Sequence, residues 1–202
     1  MSKAELSEFR WGKRPRLRQV AVLLMILAGT IPTQVAHERS NDESDGWAAE
    51  QWRMEQLEAI QRRAPQSLAA FDSDGCSGGL SQGWEHLAKQ FPAFATHFGE
   101  RPPWEACCEA HDRIYWRGET DRGFDKRKQA DADLRACVAA TGIRLGPELA
   151  QRYGLSLDIV ETAFTVTAEL MYRAVRLGGL PCTDFSWRWG YGWPECDTRV
   201  RR

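Results

Sequence analysis

At 202 residues the chain has room for one domain and an extension. Lysine plus arginine (27) nearly balance aspartate plus glutamate (28), so no strong field points to nucleic acid, and none is expected as a partner. The six cysteines are even in number and all lie beyond residue 75, which in an exported chain means three disulfides.

The N-terminus has the order of an export signal. Arg10, Lys13, Arg14, Arg16 and Arg18 precede the uninterrupted apolar run Val20–Ala28, and small and turn residues come after it. The run is short of the about 20 residues that a comfortable membrane span needs. Thr33-Gln-Val-Ala36 only half fits a cleavage site. Residues 1–36 therefore read as a signal peptide or as an N-terminal anchor through residues 20–31. Either way the product is secreted or extracytoplasmic.

Residues 37–46 are polar and charged and read as a linker to a domain over 47–202. A first helix is expected over about 46–63, with Trp47, Met54, Leu57 and Ile60 or Gln61 on one face and Pro65 as its stop. A glycine-rich loop, Phe71-Asp-Ser-Asp-Gly-Cys-Ser-Gly-Gly-Leu80, can turn its carbonyls inward. Residues 84–98 carry Trp84, Leu87, Phe91, Phe94 and Phe98 at helical spacing, bent or broken at Pro92.

The stretch Trp104-Glu-Ala-Cys-Cys-Glu-Ala-His-Asp-Arg-Ile-Tyr115 organises the rest of the chain. Prolines before it and Gly118 after it bound a helix over about 103–117. Cys107, His111 and Ile114 share a face, as do Cys108, His111 and Tyr115. Asp112 points roughly 100° from His111, so one short helix aims an imidazole and a carboxylate at two neighbouring places. A second helix is expected over Asp125–Thr141, ended by Gly142, and the run Asp121–Lys128 reads as its solvated start. A long amphipathic helix over about 156–177 puts Ile159, Ala163, Val166, Leu170, Ala174 and Leu177 on its apolar face. Its charges, Glu161, Glu169, Arg173 and Arg176, rule out a membrane span. In the tail Phe185, Trp187, Trp189, Tyr191 and Trp193 fall at every second position, as in an extended segment with one aromatic face. Cys182 and Cys196 flank it as if to close a loop. The tail is either a lid packed on the helices or a surface for lipid headgroups.

If the helices around 107 and 137 are antiparallel, Cys107 can bridge to Cys137. Four residues on from Cys107 is His111, and six back from Cys137 is Asp131, so a His–Asp pair forms across the helices. Cys108 would then tie the glycine loop through Cys76 and bring loop carbonyls to Asp112. Carbonyls plus one carboxylate are hard oxygen ligands that suit Ca²⁺ rather than zinc.

Together, the Cys-Cys-x-x-His-Asp run, Tyr115, the Asp-Gly-Cys-Ser-Gly-Gly loop and Asp131 six residues before Cys137 resemble a secreted phospholipase A2, over about residues 71–140. The resemblance implies that His111 activates water, that Asp131 orients it, and that Tyr115 joins their hydrogen-bond network. It also implies that Asp112 and carbonyls of Gly75, Ser77 and Gly79 bind calcium. The implied reaction is hydrolysis of the sn-2 ester of glycerophospholipids at a membrane surface. Trp47, Trp52 and the aromatic tail are then candidates for the contact with lipid. Three departures stand out. Ile114 replaces a cysteine common in animal enzymes. The 20 residues between His111 and Asp131 leave no room for their β-hairpin, and the glycine loop lacks their denser cysteines. The chain looks more like the compact helical enzymes of bacteria and fungi.

The fold expected is thus mostly α, an antiparallel helix pair carrying the site, with a calcium loop and a disulfide-tied extended tail. The alternatives are a phospholipase-like module that binds lipid or protein without turnover and a serine esterase using Ser77 in Gly75-Cys-Ser-Gly-Gly79. A zinc module on Cys107, Cys108 and His111 is the remaining one.

Overall fold

A computed structural model describes residues 39–73, 75–76, 80–92, 95–96 and 99–196. The export segment and the 20–31 anchor lie outside the described residues, as do Ser77, Gly79, Phe94, His97 and Phe98. Among the described residues the protein is mostly helical, with five helices and no strand. These are α1 (Arg39–Arg63), α2 (Leu80–Gln90), α3 (Glu105–Arg117), α4 (Gly123–Tyr153) and α5 (Leu157–Gly178). None is long and apolar enough to cross a membrane.

α1 begins at Arg39, so residues 39–46 are helix rather than linker. Polarity by itself does not forbid a helix. Its buried stripe is Glu50, Met54, Leu57 and Ile60, while Trp47 is exposed. α2 stops at Gln90, short of Pro92, and Phe91 is exposed.

α3 keeps nearly its expected bounds. Gly118 closes it in the left-handed region (φ 56°), its N–H donating to the Ile114 carbonyl. A Cβ there would also lie 2.2 Å from the Gly190 Cα, so two glycines let the tail cross the helix end.

α4 does not stop at Gly142. It runs on through Gly146 and Pro147 to Tyr153, with Gly154 as its left-handed cap. Gly142 is there for packing: a Cβ at that position would sit 2.4 Å from the Phe164 Cβ on α5. α4 and α5 make the most extensive helix contact, closed by Ser156, whose Oγ caps α5 by accepting from Ile159 N at 3.4 Å.

α5 buries a different face from the one expected. Val160, Phe164, Ala168, Met171 and Val175 point into the core, whereas Ile159, Val166, Leu170 and Leu177 are exposed, the last at 80%. Both stripes follow a helical period, and only the packing against α4 chooses between them.

The three disulfides are Cys76–Cys108, Cys107–Cys137 and Cys182–Cys196, the pairing expected. They fit an oxidising environment. They also remove the zinc reading, because Cys107 and Cys108 have no thiolate left to offer.

The tail is not extended. Residues 185–193 wind through successive turns, with Arg188 N donating to Phe185 O, Tyr191 N to Arg188 O and Trp193 N to Gly190 O. The physical reason is the open end of α3. A helix leaves its last carbonyls without partners. Here Gly190 N donates to Tyr115 O (2.6 Å), Gly192 N to Trp116 O (3.1 Å) and Trp193 Nε1 to Arg117 O (2.7 Å). Gln61 Nε2 takes Gly118 O at 2.8 Å. Trp189 is fully buried at the centre of this cap, edge-on to Tyr115, while Phe185 is exposed and stacks on Trp187.

Candidate active site

His111 and Asp131 are both buried and meet between α3 and α4. His111 Nε2 lies 2.9 Å from Asp131 Oδ1. A carboxylate only accepts, so Nε2 carries a proton, and in the neutral ring Nδ1 holds the lone pair. Tyr115, one turn along α3, donates its hydroxyl to the same Asp131 oxygen at 2.6 Å. Burial, the larger effect, and the nearby Asp131 charge push the Tyr115 pKa well up, so it remains a donor. At His111 burial pulls the pKa down, but the Asp112 and Asp131 carboxylates outweigh it and the balance is upward.

Three further charged groups complete the Asp131 environment, and the sequence pattern does not place them there. Arg176 Nη1 from the last turn of α5 donates to Asp131 Oδ2 at 2.9 Å. Arg127, one turn before Asp131, is fully buried rather than part of a solvated helix start. It grips Glu50 of α1 through Nε (2.6 Å) and Nη2 (2.8 Å), and donates from Nη1 to the Tyr115 hydroxyl at 3.3 Å. Arg176 Nη2 reaches Glu50 Oε2 at 3.4 Å. Two carboxylates thus balance two guanidiniums. Burial would lower the Arg127 pKa, yet the Glu50 hydrogen bond and charge outweigh it and hold it raised. One sequence signal is present: Glu50 sits one turn before Met54, on the buried stripe of α1, where an unpaired charge would not be tolerated.

Asp112 has a different environment. It is buried, its Oδ2 accepts from Ser73 Oγ at 2.6 Å, and its Oδ1 lies 3.8 Å from His111 Nδ1. Among the described residues no arginine or lysine pairs with it. A buried carboxylate with one hydroxyl donor and no cation lacks a positive charge, which is the deficit a divalent ion would fill. The Ser73 hydroxyl also accepts from Gly75 N at 3.1 Å, and Gly75 has positive φ (78°) with the Cys76–Cys108 bond beside it. The glycine loop is therefore tied to Asp112 at its start. Of the other proposed ligands, Ser77 and Gly79 lie outside the described residues. Among the described residues Asp112 is thus a single hard oxygen donor at the start of this loop, and no cluster of three or more His, Cys, Asp or Glu gathers to hold a metal.

A cavity of about 280 Å³ opens beside Asp112, lined by Ala69, Ala70, Trp116, Trp187 and Tyr191 among others. Trp116 Nε1 donates to Ala69 O, and Tyr191 donates to Asp72 O, so the cavity wall is fixed by the cap on α3. His86 is exposed on α2, with none of the burial that marks His111.

No protein-family model, curated protein or solved structure matches the chain.

Proposed function

We propose that the protein is a calcium-dependent phospholipase A2, an exported enzyme that hydrolyses the sn-2 ester of glycerophospholipids. One observation carries the reading: a buried imidazole lies between two buried aspartates with opposite charge environments. Asp131 is surrounded by arginines and a tyrosine, and Asp112 accepts, among the described residues, from a serine hydroxyl. An antiparallel arrangement of α3 and α4 suits this division. Cys107 meets Cys137, His111 meets Asp131 and Tyr115 meets Arg127, so contacts climb one helix as they descend the other.

The mechanism follows from the tautomer. His111 Nδ1, on the Asp112 side, takes a proton from water. The water oxygen adds to the sn-2 carbonyl carbon. Asp131, pinned by hydrogen bonds on both oxygens, holds the ring and stabilises the imidazolium. That imidazolium then returns its proton to the leaving glycerol oxygen, giving a fatty acid and a lysophospholipid. Calcium, held by Asp112 with carbonyls of Gly75, Ser77 and Gly79, would supply Lewis-acid stabilisation of the phosphate and the developing oxyanion. The aromatic cavity beside Asp112 gives the lipid an apolar wall. Trp47, Trp52 and Phe185 remain exposed for contact with a phospholipid surface.

The test is fatty-acid release from phosphatidylcholine vesicles, with calcium and then with excess chelator. Release that chelation abolishes supports the proposal. Release that chelation leaves intact points to Ser77 as a nucleophile, and no release points to a binding module. A companion prediction concerns Asp112→Asn. Calcium titrated calorimetrically into this variant should give no binding heat, and release should fall about 100-fold or more, the scale of losing one main electrostatic contributor. Full calcium affinity in the variant would remove Asp112 from the metal site.

A further inference from the structure

Asp131 and four other groups form a closed ring of contacts. Glu50 binds Arg127, Arg127 donates to the Tyr115 hydroxyl, Tyr115 donates to Asp131, Asp131 accepts from Arg176, and Arg176 returns to Glu50. The members come from α1, α3, α4 and α5, and four of the five are buried outright.

We propose that Arg176 and Glu50 are positioning residues of the site: Glu50, by seating α1, holds both arginines where Asp131 presents a fixed oxygen to His111. The proposal rests on the phospholipase reading for its kinetics but not for its geometry.

Each contact has a separate job. Asp131 Oδ1 takes His111 and Tyr115, and Oδ2 takes Arg176. A carboxylate held on both oxygens does not swing about its last torsion, so the His111 ring has one orientation. Arg176 is a long side chain near the end of α5, and Glu50 Oε2 keeps it from turning outward. Glu50 also restrains Arg127, whose Nη1 already stands 3.6 Å from Asp131 Oδ2. Without the Glu50 charge the ring changes from neutral to one net positive charge, and both guanidiniums turn to Asp131, drawing it from His111. A purely stabilising role explains the ring less well. Buried ion pairs stabilise little more than apolar residues of the same volume, and this ring includes the carboxylate that is hydrogen-bonded to the candidate base.

The experiment compares Arg176→Met, Arg176→Lys and Glu50→Gln with the unaltered protein. Vesicle hydrolysis at saturating calcium, calcium binding, and the ¹⁵N-edited NMR signal of the His111 Nε2–H are measured on folded samples of each. Arg176→Met should lower kcat roughly 10- to 100-fold, the scale of a displaced reacting group. KM and calcium affinity should stay within about twofold, and the Nε2–H signal should shift or vanish through exchange. Arg176→Lys, which keeps a donor to Asp131, should recover most of that loss. Glu50→Gln, nearly the same shape without the charge, should lose about tenfold. A folded Arg176→Met with kcat and Nε2–H unchanged overturns the proposal, as does a loss that appears only in thermal stability. If the unaltered protein hydrolyses no phospholipid, the enzymatic reading fails, and the Nε2–H comparison still decides whether Arg176 and Glu50 position the pair.

Discussion

Replacing His111 by alanine should lower fatty-acid release about 10³- to 10⁴-fold while leaving the protein folded. The loss is large because the His111 imidazole is the proposed proton acceptor for the attacking water, and alanine leaves nothing in its place. Folding should survive because the groups around the missing ring stay paired: Tyr115 still donates to Asp131 Oδ1, Arg176 still donates to Oδ2, and both disulfides on α3 remain. Calcium binding should also survive, since Asp112 keeps its Ser73 contact. Vesicle assays, calorimetric unfolding and calcium titration on one preparation check all three. Release above about a tenth of the original would show that another group activates the water, and Ser77 would be the next to replace.

The contact between His111 and Asp131 was legible because a covalent link fixes a register. Once Cys107 bonds to Cys137, simple counting along two helices brings His111 to Asp131, and the structure has that contact at 2.9 Å. The charged ring was not legible for the opposite reason. Glu50, Arg127 and Arg176 are far apart in sequence; Glu50 alone carries a signal, its place one turn before Met54, and the two arginines look like ordinary surface charges. Only the fold reveals that their faces converge.

The helices show the same division. The stop at Gly118 reads correctly because a left-handed residue is needed there. Gly142 has the same letter and a different cause, the close approach of Phe164. Sequence alone does not distinguish a glycine that ends a helix from one that lets another helix near. On α5 periodicity fails because two stripes satisfy it: Val160, Phe164, Met171 and Val175 repeat as well as Ile159, Val166, Leu170 and Leu177 do. In the tail, alternation suggested a strand, but a strand needs a partner along its edge. The open carbonyls of α3 gave Gly190, Gly192 and Trp193 better partners one at a time, and turns deliver them.

Arg127→Met should destabilise the protein by about 3–5 kcal/mol, the cost of leaving one member of a buried pair uncompensated. Methionine fills much of the volume, so the penalty is electrostatic. Glu50 loses its two short contacts and keeps Arg176 at 3.4 Å, while the Val175 carbonyl loses Arg127 at 3.1 Å and keeps Gly179 N at 2.9 Å. For a chain of this size that corresponds to a melting temperature lower by roughly 6–20 °C, at about 2–4 °C per kcal/mol. The informative comparison is the pair Glu50→Leu with Arg127→Met. Removing both leaves Asp131 facing Arg176, one carboxylate against one guanidinium, so neutrality returns. The double variant should therefore be clearly more stable than the sum of the two single losses, with a coupling of about 2–3 kcal/mol. Denaturant unfolding of the four proteins under oxidising conditions measures it. Simple additivity would mean that Glu50 and Arg127 contribute independently. α1 would then be held by the apolar stripe of Met54, Leu57 and Ile60 alone, and the ionic ring would have to be explained by the site rather than by the fold.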